Sequence, residues 1–325
     1  MRILFCFFFV ASALGATTVR GRVENGTLGG DGLADRVQLV GLGQGMVTLA
    51  ELPNVTGDFE LIYEGDLTGQ SWLIQATKGA AIYSVQGTSA AEPVVITVYD
   101  NSEEVDITAR GGTIAVSAIQ DTLDIGRFIN LDNQSNPPRT LARTSGTFSF
   151  KLPPGFGKVE ASTSRGTMPL RQQLDIAGDV ATINYPLRPG RTQLMVRTAH
   201  PYDVSGENSY TIPLLDEQTF AHILVLPQSI DLQGEGLQFV SSDDEQGVKL
   251  YEWERQPGQT ELQFTAIGMS AAEVPEVPSD NQSQEANSQA PKVTNEPHPM
   301  DTYRWPIVAG VVALMMISTF VLRRI

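Results

Sequence analysis

From residue 17 to residue 268 the chain alternates apolar and polar positions with a period of two, in short runs. Phe148, Phe150 and Leu152 are interleaved with Ser149 and Lys151, and Leu262, Phe264 and Ala266 with Gln263 and Thr265. Ala81, Tyr83 and Val85 repeat the pattern beside Ser84 and Gln86. A period of two sends alternate side chains to opposite faces, so each run predicts a strand with one buried and one wet face. Between the runs stand Asn25-Gly26, Gly29-Gly30-Asp31-Gly32, Pro153-Pro154-Gly155, Pro189-Gly190 and Pro257-Gly258, all turn-forming. Many short strands separated by turns predict an all-β chain of tandem β-sandwiches, immunoglobulin-like or transthyretin-like. Only Leu214 to Leu226 reads otherwise, as a short helical turn.

Asp100-Asn101-Ser102-Glu103-Glu104 interrupts two apolar strands and divides this region. Residues 17–100 have the size of one small sandwich, and 105–268 that of one large sandwich or two small ones. Trp72 is in phase with Ile74 and Ala76, which predicts a core position. Tyr251 and Trp253 share one strand face, with Glu252 and Glu254 on the other. Core packing is the default for that pair, and a ligand-facing aromatic pair is the alternative.

Both ends of the chain depart from the strand pattern. Residues 1–16 carry Arg2, the apolar run Ile3 to Val10 and then small residues, the order of a secretory signal peptide. The sole cysteine, Cys6, lies inside that apolar run. A mature chain without cysteine has neither disulfides nor cysteine-based metal cages. At the other end, residues 305–322 hold no charge. As a helix they would extend roughly 27 Å, close to the hydrocarbon thickness of a bilayer. Trp305 would sit at the headgroups, and Arg323 and Arg324 in the short tail 323–325 would remain cytoplasmic. Residues 270–303, rich in Ser, Pro, Glu, Asn and Gln, predict an extended acidic stalk. The expectation is an exported single-pass protein whose first partner is the lipid bilayer. Its N-terminus lies outside, and the bacterial inner membrane holds it with the ectodomain in the periplasm or outside the cell.

Charge narrows the set of partners. The chain carries a formal −15, and between residues 17 and 303 it has 37 acids against 18 bases, because Arg2, Arg304, Arg323 and Arg324 lie outside. Such a surface does not wrap nucleic acid, and it favours basic or cation-bridged partners.

Four segments of the first region carry a family resemblance. They are Val19 to Thr27 as a first strand and turn, Val37-Gln38-Leu39-Val40, Gly57-Asp58-Phe59-Glu60-Leu61, and Trp72-Leu73-Ile74-Gln75-Ala76. Together they resemble a carboxypeptidase regulatory-like domain, one of the transthyretin-like sandwiches related to collagen-adhesin B-type repeats. The family's turn after strand one usually contains proline, whereas Gly29 to Ala34 is glycine-rich here. The resemblance covers about a quarter of the chain. It implies a structural or ligand-binding sandwich in an envelope protein, and it brings no catalytic residues.

Candidate chemistry is sparse. Gly41-Leu42-Gly43-Gln44-Gly45 lacks the spacing of a phosphate loop and precedes a strand-like run, so it reads as a hairpin loop. Asp132-Asn133-Gln134-Ser135-Asn136 begins like a calcium loop, but Pro137 stands where the sharp turn needs glycine. Asp243, Asp244 and Glu245 on one loop are weak metal candidates. His200 with Asp203 nearby is the sole candidate for general-base chemistry, and His222 reads as a packed or edge histidine. No Gly-x-Ser-x-Gly elbow is present. These readings predict no catalytic residue and no cofactor. They point to a non-enzymatic binding or scaffolding module with a protein or polysaccharide ligand. The alternatives are an accessory subunit of a membrane complex and, behind it, a hydrolase or carbohydrate-active enzyme.

Overall fold

The computed structural model describes residues 16–271, apart from residues 44, 88, 167, 168 and 217. The expected signal peptide, most of the expected stalk, and the expected anchor with Trp305, Arg323 and Arg324 lie outside the described residues. Among the described residues no helix is long and apolar enough to cross a membrane. The described chain is all-β and sandwich-like.

The first region contains β1 (Thr17–Asn25), β2 (Leu33–Gly41), β3 (Val47–Tyr63), β4 (Trp72–Lys78), β5 (Ala81–Gln86) and β6 (Val94–Val98). They hydrogen-bond in the order β5-β4-β2-β3-β1-β6. The long β3 makes this a closed sandwich. Its first half, to Thr56, pairs with β2, and its second half, from Gly57, pairs with β1. Gly57 has a φ of 70° at the corner, a left-handed conformation that glycine adopts without steric cost. Leu39 and Ile74 from one layer meet Val23 and Ile96 from the other, and Trp72 is buried with them. Each such side chain contributes about 1.5–3 kcal/mol when fully buried.

The second region is built differently. Its strands are β7 (Asn101–Ser102), β8 (Ile107–Ile119), β9 (Thr122–Asn133), β10 (Thr140–Leu141), β11 (Phe148–Lys151), β12 (Lys158–Ser164), β13 (Leu170–Gln172) and β14 (Leu174–Ala177). They continue with β15 (Val180–Ile183), β16 (Gly190–Pro201), β17 (Asn208–Pro213), β18 (Phe220–Leu226), β19 (Ile230–Gln233), β20 (Leu237–Asp243), β21 (Val248–Glu254) and β22 (Glu261–Gly268). One eight-stranded sheet, in the order β13-β12-β16-β9-β8-β18-β21-β20, spans the region. Two three-stranded sheets, β11-β15-β14 and β17-β22-β19, supply the partners for two separate hydrophobic cores.

The same strands serve both cores. On β9, Leu123 and Ile125 enter the core shared with Ile212, Phe264 and Trp253. Ile129 and Leu131 enter the core shared with Phe150, Ile183 and Leu194. Arg127 lies between them on the same face and is 4% exposed. The segment expected to make a helical turn is a loop followed by the strand β18. There Ala221, Ile223 and Val225 are buried while Phe220 is exposed and His222 and Leu224 are half-buried, which is the two-residue period of a strand.

The regions meet at a hydrogen-bonded joint. β7 and β10 form a short parallel ladder, and the Tyr83 hydroxyl and Thr140 Oγ1 lie 2.7 Å apart. Thr27 donates to the carbonyl of Pro138. Arg188 donates to the carbonyl of Ile82 and lies 5.5 Å above the Tyr83 ring. At the opposite end of β8, Ala271 pairs with Ile119 in parallel.

Candidate binding face

The two small sheets cover one face of the large sheet, and the other face defines the candidate site. Register places its side chains in rows across the strands. One row runs Met195, Phe128, Thr113, His222, Glu252, and the next Arg197, Gly126, Ala115, Leu224, Leu250. A third runs Ala199, Asp124, Ser117, Leu226. Met195, Phe128, Leu224, Leu226, Leu250 and Val248 are half-buried, and Phe220 is 52% exposed. The middle of the face is shallow because Gly126, Ala115 and Ser117 lie side by side between bulkier neighbours. A Cβ added at Gly126 would meet that of Ala115 at 3.7 Å, an ordinary contact.

Among the described residues several charges on this face have an opposite charge beside them, and Glu254, opposite Phe220, does not. Arg197 bonds Asp124, and Arg191 Nε lies 2.9 Å from Asp132 Oδ1, while Arg110 stays 4.0 Å from Oδ2, which accepts no hydrogen bond among the described residues. Lys158 Nζ lies 2.8 Å from Glu160, with Arg171 at 3.6 Å, and the Lys158 hydrogen bond holds the Glu160 carboxyl below its usual range. His222 Nε2 stands 3.3 Å from Glu252. A half-exposed apolar strip of this breadth is chemically suited to packing against another flat surface.

The residues singled out from sequence are placed elsewhere. Tyr251 and Trp253 are 4% and 1% exposed in a hydrophobic core, so neither ring faces a ligand. Their phase with Leu250 and Glu252 on the opposite face puts them on the covered side of β21. Tyr251 donates to Asp231 and accepts from the Leu232 amide, while Trp253 Nε1 has no acceptor. Asp243, Asp244 and Glu245 form the turn between β20 and β21. The Asp243 carboxylate accepts from the amides of Glu245 and Gln246, and Asp244 accepts from Gln228. Among the described residues no group of three or more His, Cys, Asp or Glu side chains is arranged to hold a metal ion.

His200 and Asp203 are not joined by a hydrogen bond. His200 is 4% exposed, its Nε2 is 3.0 Å from Thr198 Oγ1, and its ring packs edge-on against Tyr210. Burial pushes its pKa down, against a weaker pull from Asp124. Asp203 accepts from both the amide and the hydroxyl of Ser205, and these bonds lower its pKa. His222, by contrast, belongs to the open face.

Two features went unremarked in the sequence. The open face itself gave little signal, because Ile223-Leu224-Val225-Leu226 is a continuous apolar run. Arg127 did give one, since it is in phase with Ile125 and Ile129. Its Nη1 donates to the carbonyl of Lys151, and burial pushes its pKa down to about 10.

No family model matches the chain, and no curated protein matches it. Among solved structures it is similar to an M1 zinc metallopeptidase from Deinococcus radiodurans, at 14% identity and a TM-score of 0.29. That similarity covers 49% of this chain and 42% of the enzyme. A point mutant of the same enzyme gives 14% identity and a TM-score of 0.27, over 48% of this chain and 42% of that one. The chain thus spans less than half the length of these structures. Similarity at this level transfers no activity.

Proposed function

We propose that this chain is a non-enzymatic binding or scaffolding protein of the cell envelope. Residues 1–16 export it, the apolar segment 305–322 anchors it, and the acidic stalk holds its β-sandwich ectodomain away from the inner membrane. The first sandwich is a carboxypeptidase regulatory-like module, and the second region supplies the contact surface. The observation that carries this reading is the eight-stranded sheet, of which one face is covered by two small sheets while the other is left half-exposed and apolar. Contiguous apolar surface of this kind marks interaction sites on folded proteins.

Cross-linking in intact membranes, followed by mass spectrometry of the full-length chain, tests the proposal. Intermolecular cross-links are expected at the open face, for example through Lys158, and should disappear in Leu224→Asp. Cross-links confined to the first sandwich, or unchanged by that substitution, would overturn it.

A further inference from the structure

We infer that the open face of the eight-stranded sheet is a self-association surface and that its partner is a second copy of this chain. This inference rests on the binding reading above and names the partner.

Two observations select a copy. The first is charge. Two chains that each carry −15 repel one another over most of their surface. On the open face Asp124, Asp132 and Glu160 each have an Arg or Lys neighbour, so that half of the face approaches a copy at a smaller penalty, while Glu252 and Glu254 keep acidic charge at the β21 side. Two bases stand on each of Asp132 and Glu160 while Glu252 and Glu254 lie at the opposite side, so a two-fold copy brings the basic side of one face to the acidic side of the other. The face also offers apolar contact.

The second is area. Six strands at about 4.8 Å spacing and roughly ten residues each give a face on the order of 900 Å². A standard stable interface buries about 800 Å² per partner, so the face is large enough for a two-fold dimer without any other contact. Aligned sheets pack about 10 Å apart with their side chains interdigitated. The shallow strip of Gly126 and Ala115 next to the ridge of Leu224 and Leu250 supplies both shapes such packing needs, a hollow and a ridge. A two-fold axis through the face lays the ridge of each copy into the hollow of the other.

The test uses the full-length chain in mild detergent, with protein mass measured by light scattering after size exclusion. Wild type is expected to run as a dimer at micromolar concentration. Leu224→Asp and Gly126→Arg are each expected to weaken self-association roughly a hundred-fold, the loss of a central contact of about 2.7 kcal/mol. Neither should change the melting temperature by more than a few degrees. Gly126→Arg guards against misfolding of the other variant, because the space beside Gly126 admits a side chain. A wild-type monomer overturns the inference, as does a dimer that persists in both variants. If wild type is monomeric but Leu224→Asp releases a different cross-linked protein, the binding reading stands and the self-association falls. If the substitution changes neither mass nor cross-links, both fall.

Discussion

The first sandwich and the second region solve the same problem with opposite economies of chain. In the first, β3 turns a corner near Gly57 and contributes to both layers, so six strands enclose one core. In the second, β8 and β9 each reach two cores, β8 by way of a register shift between Gly111 and Thr113, and each core needs its own small covering sheet. A sandwich that closes on itself leaves its strands one wet face each. A large sheet covered from one side keeps a second broad face uncovered, and that surplus is available for association. The contrast therefore separates a part built to be complete from a part built with a surface to spare.

The sharpest break in this contrast is between adjacent residues on β18. Ile223 is fully buried and Leu224 is on the open face. Ile223→Asp puts an unpaired carboxylate in the core and should cost about 5 kcal/mol or more, abolishing the folding transition of the second region by calorimetry. Leu224→Asp should cost only about 1–2 kcal/mol in the same measurement, because Leu224 is half-buried on the open face.

Next in size is Trp253→Ala, expected to cost about 3–5 kcal/mol. Because β9 and β16 extend beyond that core, hydrogen exchange should show lost protection at Ile129 and Leu194 as well, with β1 to β6 little changed. Protection lost only around Trp253 would mean that the two cores open independently. Trp253→Phe should cost much less than the alanine variant, since it also removes an indole N–H that has no acceptor.

Arg127→Met should be neutral or should raise the melting point by up to a few degrees, because it replaces a buried guanidinium by an apolar chain of similar reach. A loss of 3 kcal/mol or more in urea unfolding would show instead that the guanidinium ties the two cores together. The smallest effect concerns pH. The folded-state pKa of His200 is depressed, so the unfolded chain binds more protons between that value and the ordinary histidine value near 6.5. Stability should decline as pH falls below about 6.5, and His200→Gln should flatten that part of the curve in urea titrations at stepped pH.

Much of the strand content was legible because alternation is local. Phe150, Leu262, Phe264 and Ala266 are buried, as their period of two requires, and Trp72 is buried with Ile74 and Ala76. The sharing of one sheet by two cores was not legible. It depends on pairings such as the parallel register of His222 with Thr113, and these join positions more than a hundred residues apart with no local signature. The open face was hidden for another reason. Where Ile223 to Leu226 are all apolar, period gives no information about which side is covered. Arg127 was readable in principle, because a charge in phase with Leu123, Ile125, Ile129 and Leu131 belongs to the covered side.

The parallel pairing of Ala271 with Ile119 has a mechanical consequence. The first sandwich joins the second region near the start of β8, and Ala271 is bridged to the other end of that thirteen-residue strand. A pull between those two points runs along the strands and at right angles to their hydrogen bonds. The bonds are then loaded together in shear instead of being peeled apart one after another. The second region would act as a stiff strut between Ala271 and the first sandwich.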